Sequence, residues 1–587
     1  MFRHKLKQAT LGTLESLKRV FMQEHVFMVV VACVIGYFTG LCAVIFKWMI
    51  QGVHAVFLKE FLSRASTGSS LWLLLIPFSV GLGGLIVGLL NHYFNPENEG
   101  GGLAEPMKWA AIDQGRVPKP VIWFRPLASA LTIGSGGSAG REAPTVQIGA
   151  AVGSLVSGIM KASSERRRLL MGCGSAGAIA ASFNAPLGGI VFALEVVLGD
   201  FNVKVFTPLI FSSVIATVTS RHLEGNVPAF ELPSYTLVST VEIFFFIVLG
   251  LVAGLVAALF YKTYLDISDR FSALKIHPVL LPALGGVLAG VFGIFYPDAL
   301  GNGYDGMNKV MNGQMLWYTA LLLVFVKVLL TNLTLGSGGS GGLYAPSLFI
   351  GCMLGGTFGA LLNYLFPGLT GSAGSYALVG MGAVMSAVGH MPMTNILMTF
   401  ELTNSYQVIL PIMVACISST VTYAFFCKNS VDVEILRRMG INIWHGRESS
   451  IMGSLLVRDV MNTEFDTLRE DTSFRDILGI MSKSKAYYFP CVDTAGRMTG
   501  IISVQDIRQF MLEEELADVV VAKDMAAPKV LFLKPDDNLN EALEKFALRD
   551  LDELPVVANP EEKIVVGMLR RKDVITAYKK AVIQVST

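Results

Sequence analysis

Long apolar runs follow one another from about residue 26 to 427, with few charges between them. They include HVFMVVVACVIGYFTGLCAVIF, LWLLLIPFSVGLGGLIVGLL, VEIFFFIVLGLVAGLVAALF and MLWYTALLLVFVKVLL. A run of about 20 apolar residues can cross a bilayer as a helix, so the pattern predicts a polytopic α-helical membrane protein. A large soluble core would need charged helix faces between the runs, and these are missing. Beyond residue 427 the pattern changes. Charges become frequent, and 454–580 alternates short strand-like and helix-like segments of a soluble α/β kind.

Both regions are written twice. LTIGSGGSAGREAPTVQIG at 131–149 returns as LTLGSGGSGGLYAPSLFIG at 333–351, 202 positions later. The copies differ chiefly where Arg141 and Glu142 face Leu343 and Tyr344. GLCAVIFK (40–47) is echoed by GLVAALFYK (254–262), and LLIPFSVGLGGLIVG (74–88) by LLPALGGVLAGVFG (280–293). In FNAPLGGIVFALE, Pro186 precedes Glu195 by nine; in HMPMTNILMTFE, Pro392 precedes Glu401 by nine. The membrane region is therefore two homologous halves, roughly 26–222 and 238–427. Two-half membrane proteins are typically transporters or channels whose site lies where the halves meet, built from broken helices. In the tail, Pro490 matches Pro555 and Asp506 matches Asp573. The expected organisation is an N-terminal helix at 1–25, halves at 26–235 and 236–440, a linker at 441–453, and tail domains at 454–515 and 516–587.

Composition narrows the partners. Of 587 residues, 52% are hydrophobic and only 16% charged, against about 25% charged in a typical soluble protein. A net charge of +1 gives no bulk attraction for nucleic acid. The basic stretch MFRHKLKQATLGTLESLKRV favours the cytoplasmic side, and the tail is most simply on that side too. The first apolar run is too long for a cleaved signal, and no small-residue cleavage site follows it. Seven cysteines show neither CxxC nor metal spacing and are expected to be reduced.

The glycine loops carry the candidate chemistry. GSGGSG at 336–341 fits GxGxxG, and GSGGSA at 134–139 fits its GxGxxA variant. A dinucleotide site would need them in a soluble strand–turn–helix unit, whereas they sit inside apolar membrane segments. Non-helical backbone at membrane depth is tolerated only where it is buried in protein or lines a cavity. Pro144 and Pro346 each mark a place where a helix can begin. The unsatisfied amides of those helices would then point into the loops and favour an anion. Tight helix packing alone would explain the glycines, but not two matched loops each ending in proline. Glu142 is an intramembrane carboxylate and so a functional candidate. Ionised, it competes with a permeating anion; protonated, it is free to swing away. A purely structural pair with Arg141 is the alternative.

These residues resemble the CLC family of chloride channels and chloride/proton antiporters, over about residues 20–440. GREAPTVQIG is similar to the family's GREGP motif, which puts Glu142 at the gating glutamate. GGLYAP at 341–346 is similar to its GxFxP motif, with Tyr344 at the phenylalanine. FNAPLGGIVFALE and ELTNSYQVILPI match in order and spacing. The resemblance implies two inverted repeats and a homodimer in the plasma (inner) membrane, with cytoplasmic termini. It implies one pathway per subunit for chloride or another small anion, with protons as a second candidate substrate. The implied pathway runs past Gly101, Gly102, Leu103, Gly140, Arg141, Gly342, Leu343, Tyr344, Ala345, Pro346 and Asp432.

Three departures bear on function. The family's first filter motif, GSGIP, falls at GGLAE (101–105), so Gly102 replaces the anion-contacting serine. The pore tyrosine falls in SVDVEIL (430–436), where Asp432 replaces it. The inner proton glutamate falls at Val196, and Glu195, one residue away, lies about 100° round a helix and is a poor substitute. The reading is channel-like anion conduction. Chloride/proton or fluoride/proton antiport is the alternative, and a membrane nucleotide sensor that has lost transport is a third. The tail resembles a pair of cystathionine-β-synthase (CBS) domains. GIISVQD supplies Ser503 and Asp506 for a nucleotide's phosphate and ribose; GMLRRKD supplies Asp573, with Arg570 in place of the hydroxyl residue. ATP, ADP or AMP is thus a candidate regulatory ligand, beside a purely structural reading. No metal, required cofactor or enzymatic activity is expected.

Overall fold

A computed structural model describes residues 24–59, 74–94, 102–226, 238–403, 405–441, 452, 455–484, 486–510, 519–528, 530–549, 551–559 and 561–586. The expected N-terminal helix (but for its last two residues), most of the 441–453 linker and Gly101 lie outside these.

The apolar runs form helices, whose interior backbone groups bond to one another without water. The first half comprises α1 (Glu24–His54), α2 (Ile76–Phe94), α3 (Ala104–Ala111), α4 (Val121–Gly134), α5 (Glu142–Ile159), α6 (Ser164–Phe183), α7 (Pro186–Phe192) and α8 (Val203–Glu224). The second repeats the order: α9 (Glu242–Ala273), α10 (Leu281–Phe295), α11 (Tyr304–Met311), α12 (Trp317–Gly336), α13 (Tyr344–Leu365), α14 (Ala373–Gly389), α15 (Pro392–Thr403) and α16 (Ile409–Phe426). A short helix, α17 (Val431–Arg438), follows. Among the described residues, seven helices are long and apolar enough to cross a membrane. Each proline of the repeated loops is the third residue of its helix, Pro144 in α5 and Pro346 in α13, so these helices begin two residues earlier than the prolines mark.

Contacts between the halves come in reciprocal pairs. The Ser138 hydroxyl meets that of Thr331 at 2.9 Å, and the Ser340 hydroxyl meets that of Ser129 at 2.8 Å. The Ser138 amide donates to the Thr334 hydroxyl, and the Ser340 amide to the Thr132 hydroxyl, both at 3.1 Å. Reciprocity of this kind, i to j and j to i, is what a two-fold axis produces. The same relation accounts for the repeated proline–glutamate spacing. Glu195 accepts from the amides of Met393 (3.2 Å) and Thr394 (2.7 Å) at the start of α15. Glu401 accepts from those of Leu187 (2.9 Å) and Gly188 (2.7 Å) at the start of α7. Each half caps a helix of the other. Glu195 sits in a π-helical turn, Ala193–Leu198, that continues α7.

Glycine sets how closely the halves approach. A Cβ on Gly84 of α2 would lie 2.2 Å from the Pro282 carbonyl oxygen of α10, and one on Gly286 of α10 would lie 2.6 Å from that of Val80. Backbones touch there, as in small-residue crossings of membrane helices.

The tail is a separate compact unit from Leu436, the membrane unit ending at Ile435. One sheet has strand order β1 (Leu468–Arg469), β2 (Tyr488–Val492), β3 (Met498–Ser503), with α18 (Phe474–Lys483) between β1 and β2 and α19 (Val504–Phe510) after β3. The second pairs β4 (Glu553–Val557) with β5 (Val565–Arg570), preceded by α20 (Ala522–Met525) and α21 (Leu539–Arg549) and followed by α22 (Arg571–Ser586). The register sets Tyr488 opposite Ser503 in the first and Glu553 opposite Arg570 in the second.

The two-fold relation makes a paired prediction. Glu195→Ala and Glu401→Ala should each destabilise the membrane unit by about 1–2 kcal/mol, the usual value of a helix cap. Thermal unfolding in detergent should show losses of similar size. A loss confined to one variant would refute the reciprocal capping.

Candidate functional site

The two glycine loops meet back to back. The Gly140 amide donates to the Gly342 carbonyl at 2.7 Å, and the Gly342 amide returns the bond to Gly140 at 2.9 Å. This pair lies on the two-fold relation, since each residue is the other's counterpart. The next residues begin α5 and α13, so two helix N-termini face one another across the crossing.

Glu142 breaks the symmetry. It is fully buried. One carboxylate oxygen accepts from the Ala345 amide in the first turn of α13, at 3.3 Å; the other accepts from the Tyr304 hydroxyl, at 2.7 Å. A carboxylate of the first half thus occupies the helix terminus of the second. Its counterpart Tyr344 turns away. The Tyr344 ring lies 5.5 Å from that of Phe183, and its hydroxyl faces Asn395 (3.3 Å) and the Met398 sulfur (2.9 Å). Arg141 donates to the Ser182 carbonyl at 3.2 Å and lies over the Tyr304 ring at 5.4 Å, with the Glu142 carboxylate close enough to interact with its charge. Leu343 is half-buried and Pro346 buried.

Sequence reasoning missed Tyr304, the first residue of α11, since no motif marks it. It lines two cavities. One of about 610 Å³ also touches His54, Lys59 and Asp305; one of about 140 Å³ also touches Lys47, Arg141 and Arg221. Sequence reasoning also missed Lys327, which is fully buried in α12. Its ammonium donates to the carbonyls of Ala299 and Gly301, both at 2.8 Å, and lies 5.0 Å from the Phe349 ring centre. It pins the loop that leads into α11 and so positions Tyr304.

Asp432 sits at a second helix terminus. Its carboxylate accepts from the Leu103 amide at 2.9 Å, with the Ala104 amide beside it, at the start of α3. Gly102, just before, has φ +88°. The Gly102 carbonyl accepts from the Gln147 side chain of α5 at 2.8 Å. Glu105 in the first turn of α3 is buried and paired with Arg125. Val196 is buried and apolar, and Glu195 is committed to α15 as described above.

In the tail, Ser503 and Asp506 close on one another. The Ser503 amide and hydroxyl both donate to the Asp506 carboxylate at 2.7 Å, capping α19. Arg570 donates to Glu553 across the sheet at 3.1 Å. Asp573 lies in the first turn of α22. The Glu553 side chain is 4% exposed, and burial pushes its carboxyl above the usual range despite Arg570.

Inverted helical repeats, facing helix termini and a carboxylate held at their crossing define an integral membrane protein of anion-transporter type with a separate α/β tail. The chain belongs to the voltage-gated chloride channel family, whose sequence model matches residues 83–423; the CBS domain model matches 457–513 and 522–580. It is 36% identical to a ClcB-like protein of Ralstonia nicotianae over 353 residues, covering 60% of this chain and 82% of that one. It is 31% identical to the H(+)/Cl(-) exchange transporter ClcA of Vibrio parahaemolyticus, covering 70% and 89%. Among solved structures it resembles a slow cyanobacterial Cl-/H+ antiporter, with a TM-score of 0.65 and 26% identity, covering 70% and 97%. CLC-family anion transport and the tandem CBS tail follow from this membership.

The Arg570–Glu553 pair is testable in the full chain. Arg570→Ala leaves a buried carboxylate without its cation and should cost the second CBS domain about 1 kcal/mol, the low end of the range because water reaches Arg570. Removing the cation raises the folded-state pKa of Glu553 further. The deficit is therefore largest at neutral pH and shrinks as pH falls and the carboxyl takes a proton. Hydrogen exchange across β4 and β5 at two pH values reads this. Equal protection in both proteins at neutral pH would dismiss the pair.

Proposed function

We propose that the chain conducts chloride through a pathway gated by Glu142, passively or with weak coupling to protons. The observation that carries the proposal is the Glu142 carboxylate held by the Ala345 amide and the Tyr304 hydroxyl. An anion binding at those donors must displace it. Helix termini supply partial positive charge without a full cation, so an anion is held but can leave. Support for weak coupling comes from Val196, which cannot carry a proton, and from Glu195, whose oxygens are bound to α15. Several named relatives are proton/chloride exchangers, so exchange is the second reading. A homodimer with one pathway per subunit in the plasma membrane, its termini cytoplasmic, completes the proposal. So does adenine-nucleotide control at Ser503, Asp506, Arg570 and Asp573. For nucleotide to bind there, Ser503 must release Asp506 and Arg570 must release Glu553.

Purified protein in liposomes under a chloride gradient, with halide and proton movement recorded together, separates the readings. Uphill proton pumping driven by chloride would establish exchange instead of conduction. Glu142→Ala should raise passive flux and abolish its rise on acidification; an unchanged pH profile would remove Glu142 from the gate. Tyr304→Phe removes one hydrogen bond to a charged group, worth about 1.5–3 kcal/mol. It should raise flux by about tenfold or more, and should add nothing once Glu142 is alanine. Flux unaltered by millimolar ATP or AMP would count against nucleotide control.

A further inference from the structure

We infer that Asp432 is a second carboxylate stopper in the same pathway, acting in series with Glu142. The inference rests on the proposed anion pathway but concerns a different residue, helix and end of the path.

The Asp432 carboxylate occupies the Leu103 and Ala104 amides that open α3. It comes from α17, beyond the second half, whereas α3 belongs to the first. The arrangement repeats what Glu142 does at α13: an acidic side chain from one part of the chain fills the amide terminus of a helix from another. The two sites are joined by α5. Gln147, whose side chain holds the Gly102 carbonyl, lies five residues after Glu142, a rise of about 7.5 Å along the helix. Both carboxylates are therefore linked through one short stretch of α5. Gln147 is 1% exposed, and its side-chain oxygen has no partner. A buried acceptor left over at this point calls for a donor, such as a water, and marks the mouth of α3 as a wet place. Asp432 and Gly102 are themselves only half-buried.

Gly102 and Asp432 also explain one another. A Cβ on Gly102 would lie 3.0 Å from an Asp432 carboxylate oxygen, and the residue has the left-handed φ that disfavours any side chain. A serine at 102 would crowd the carboxylate and strain the loop. The two missing hydroxyls are thus one change: an internal anion has taken the place where hydroxyls would hold a mobile one. Glu105, the nearest acid on α3, is already neutralised by Arg125. On α16, the Tyr423 hydroxyl is tied to the Asn429 carbonyl. The α3 amides are therefore the feature that Asp432 and a permeating anion must contest.

Two variants test this by chloride titration calorimetry on the full chain in detergent, with liposome flux alongside. Asp432→Asn keeps an oxygen for the Leu103 amide and so keeps the fold, but removes the charge; Asp432→Ala removes both. Each should bind chloride about tenfold more tightly than the native chain. Each should also raise chloride flux beyond that of Glu142→Ala when combined with it. Unchanged chloride affinity in both folded variants would overturn the inference. If no protein carries halide yet the variants bind chloride more tightly, the transport reading fails and the stopper stands. If Glu142→Ala raises flux while neither Asp432 variant alters affinity or flux, the stopper fails and the transport reading stands.

Discussion

Everything in the membrane unit depends on how two stretches of open backbone cross where no water is assured. Amides that leave a helix in such a place need partners. The Gly140–Gly342 pair supplies them by a two-way exchange of hydrogen bonds. Hydroxyls on either side satisfy the next amides, Thr334 that of Ser138 and Thr132 that of Ser340. Once the loops are locked this way, α5 and α13 must begin at the crossing with their amides exposed to it. The anion-favouring field is a consequence of closing the loops, not an addition to them.

A symmetric crossing would offer two equal termini. One pair of positions breaks the equality. Glu142 reaches across and fills the far terminus, while Tyr344 swings toward Phe183 and Asn395. A carboxylate in both copies would set like charges against one another at close range. A carboxylate in neither would leave amide termini that only a captured ion could satisfy. On the proposed gating, one acid against two termini is the arrangement that can be both closed and released. Tyr304 and Lys327 serve that acid from the second half: the ammonium fixes the loop and the hydroxyl fixes the carboxylate.

The repeats, the apolar runs and the change of character after residue 427 were all legible because each is a local pattern. So was Glu142, since an acid in an apolar segment stands out on one line of sequence. The proline–glutamate spacing was visible as a repeat but not as a reason, because its meaning is a cap made between halves: Glu195 meets Thr394 across 199 positions. Tyr304 was illegible. An aromatic at the start of a short helix carries no pattern, and its partner is 162 residues away. Asp432 was visible only as a missing tyrosine; its grip on Leu103, 329 positions off, is set by the fold alone. In the tail, Arg570 was read only as standing in place of a hydroxyl residue. The strand register, which sequence does not print, places Glu553 opposite it.

The geometry also bears on which acids remain for protons. Glu195 accepts from two amides and the Thr394 hydroxyl, so protonating it would weaken its cap on α15. Val196 offers nothing. Along the stretch of α5 between Glu142 and Gln147, the acids poised at helix termini are Glu142 and Asp432, each held by amides that an anion could take over. If each leaves its terminus by gaining a proton, anion entry and proton uptake are linked at both ends of the path without any inner glutamate. If each leaves still charged, the path conducts without protons. On the proposed gating, the distinction between conduction and exchange turns on the charge state in which these two carboxylates leave, a question of local helix termini and not of the fold.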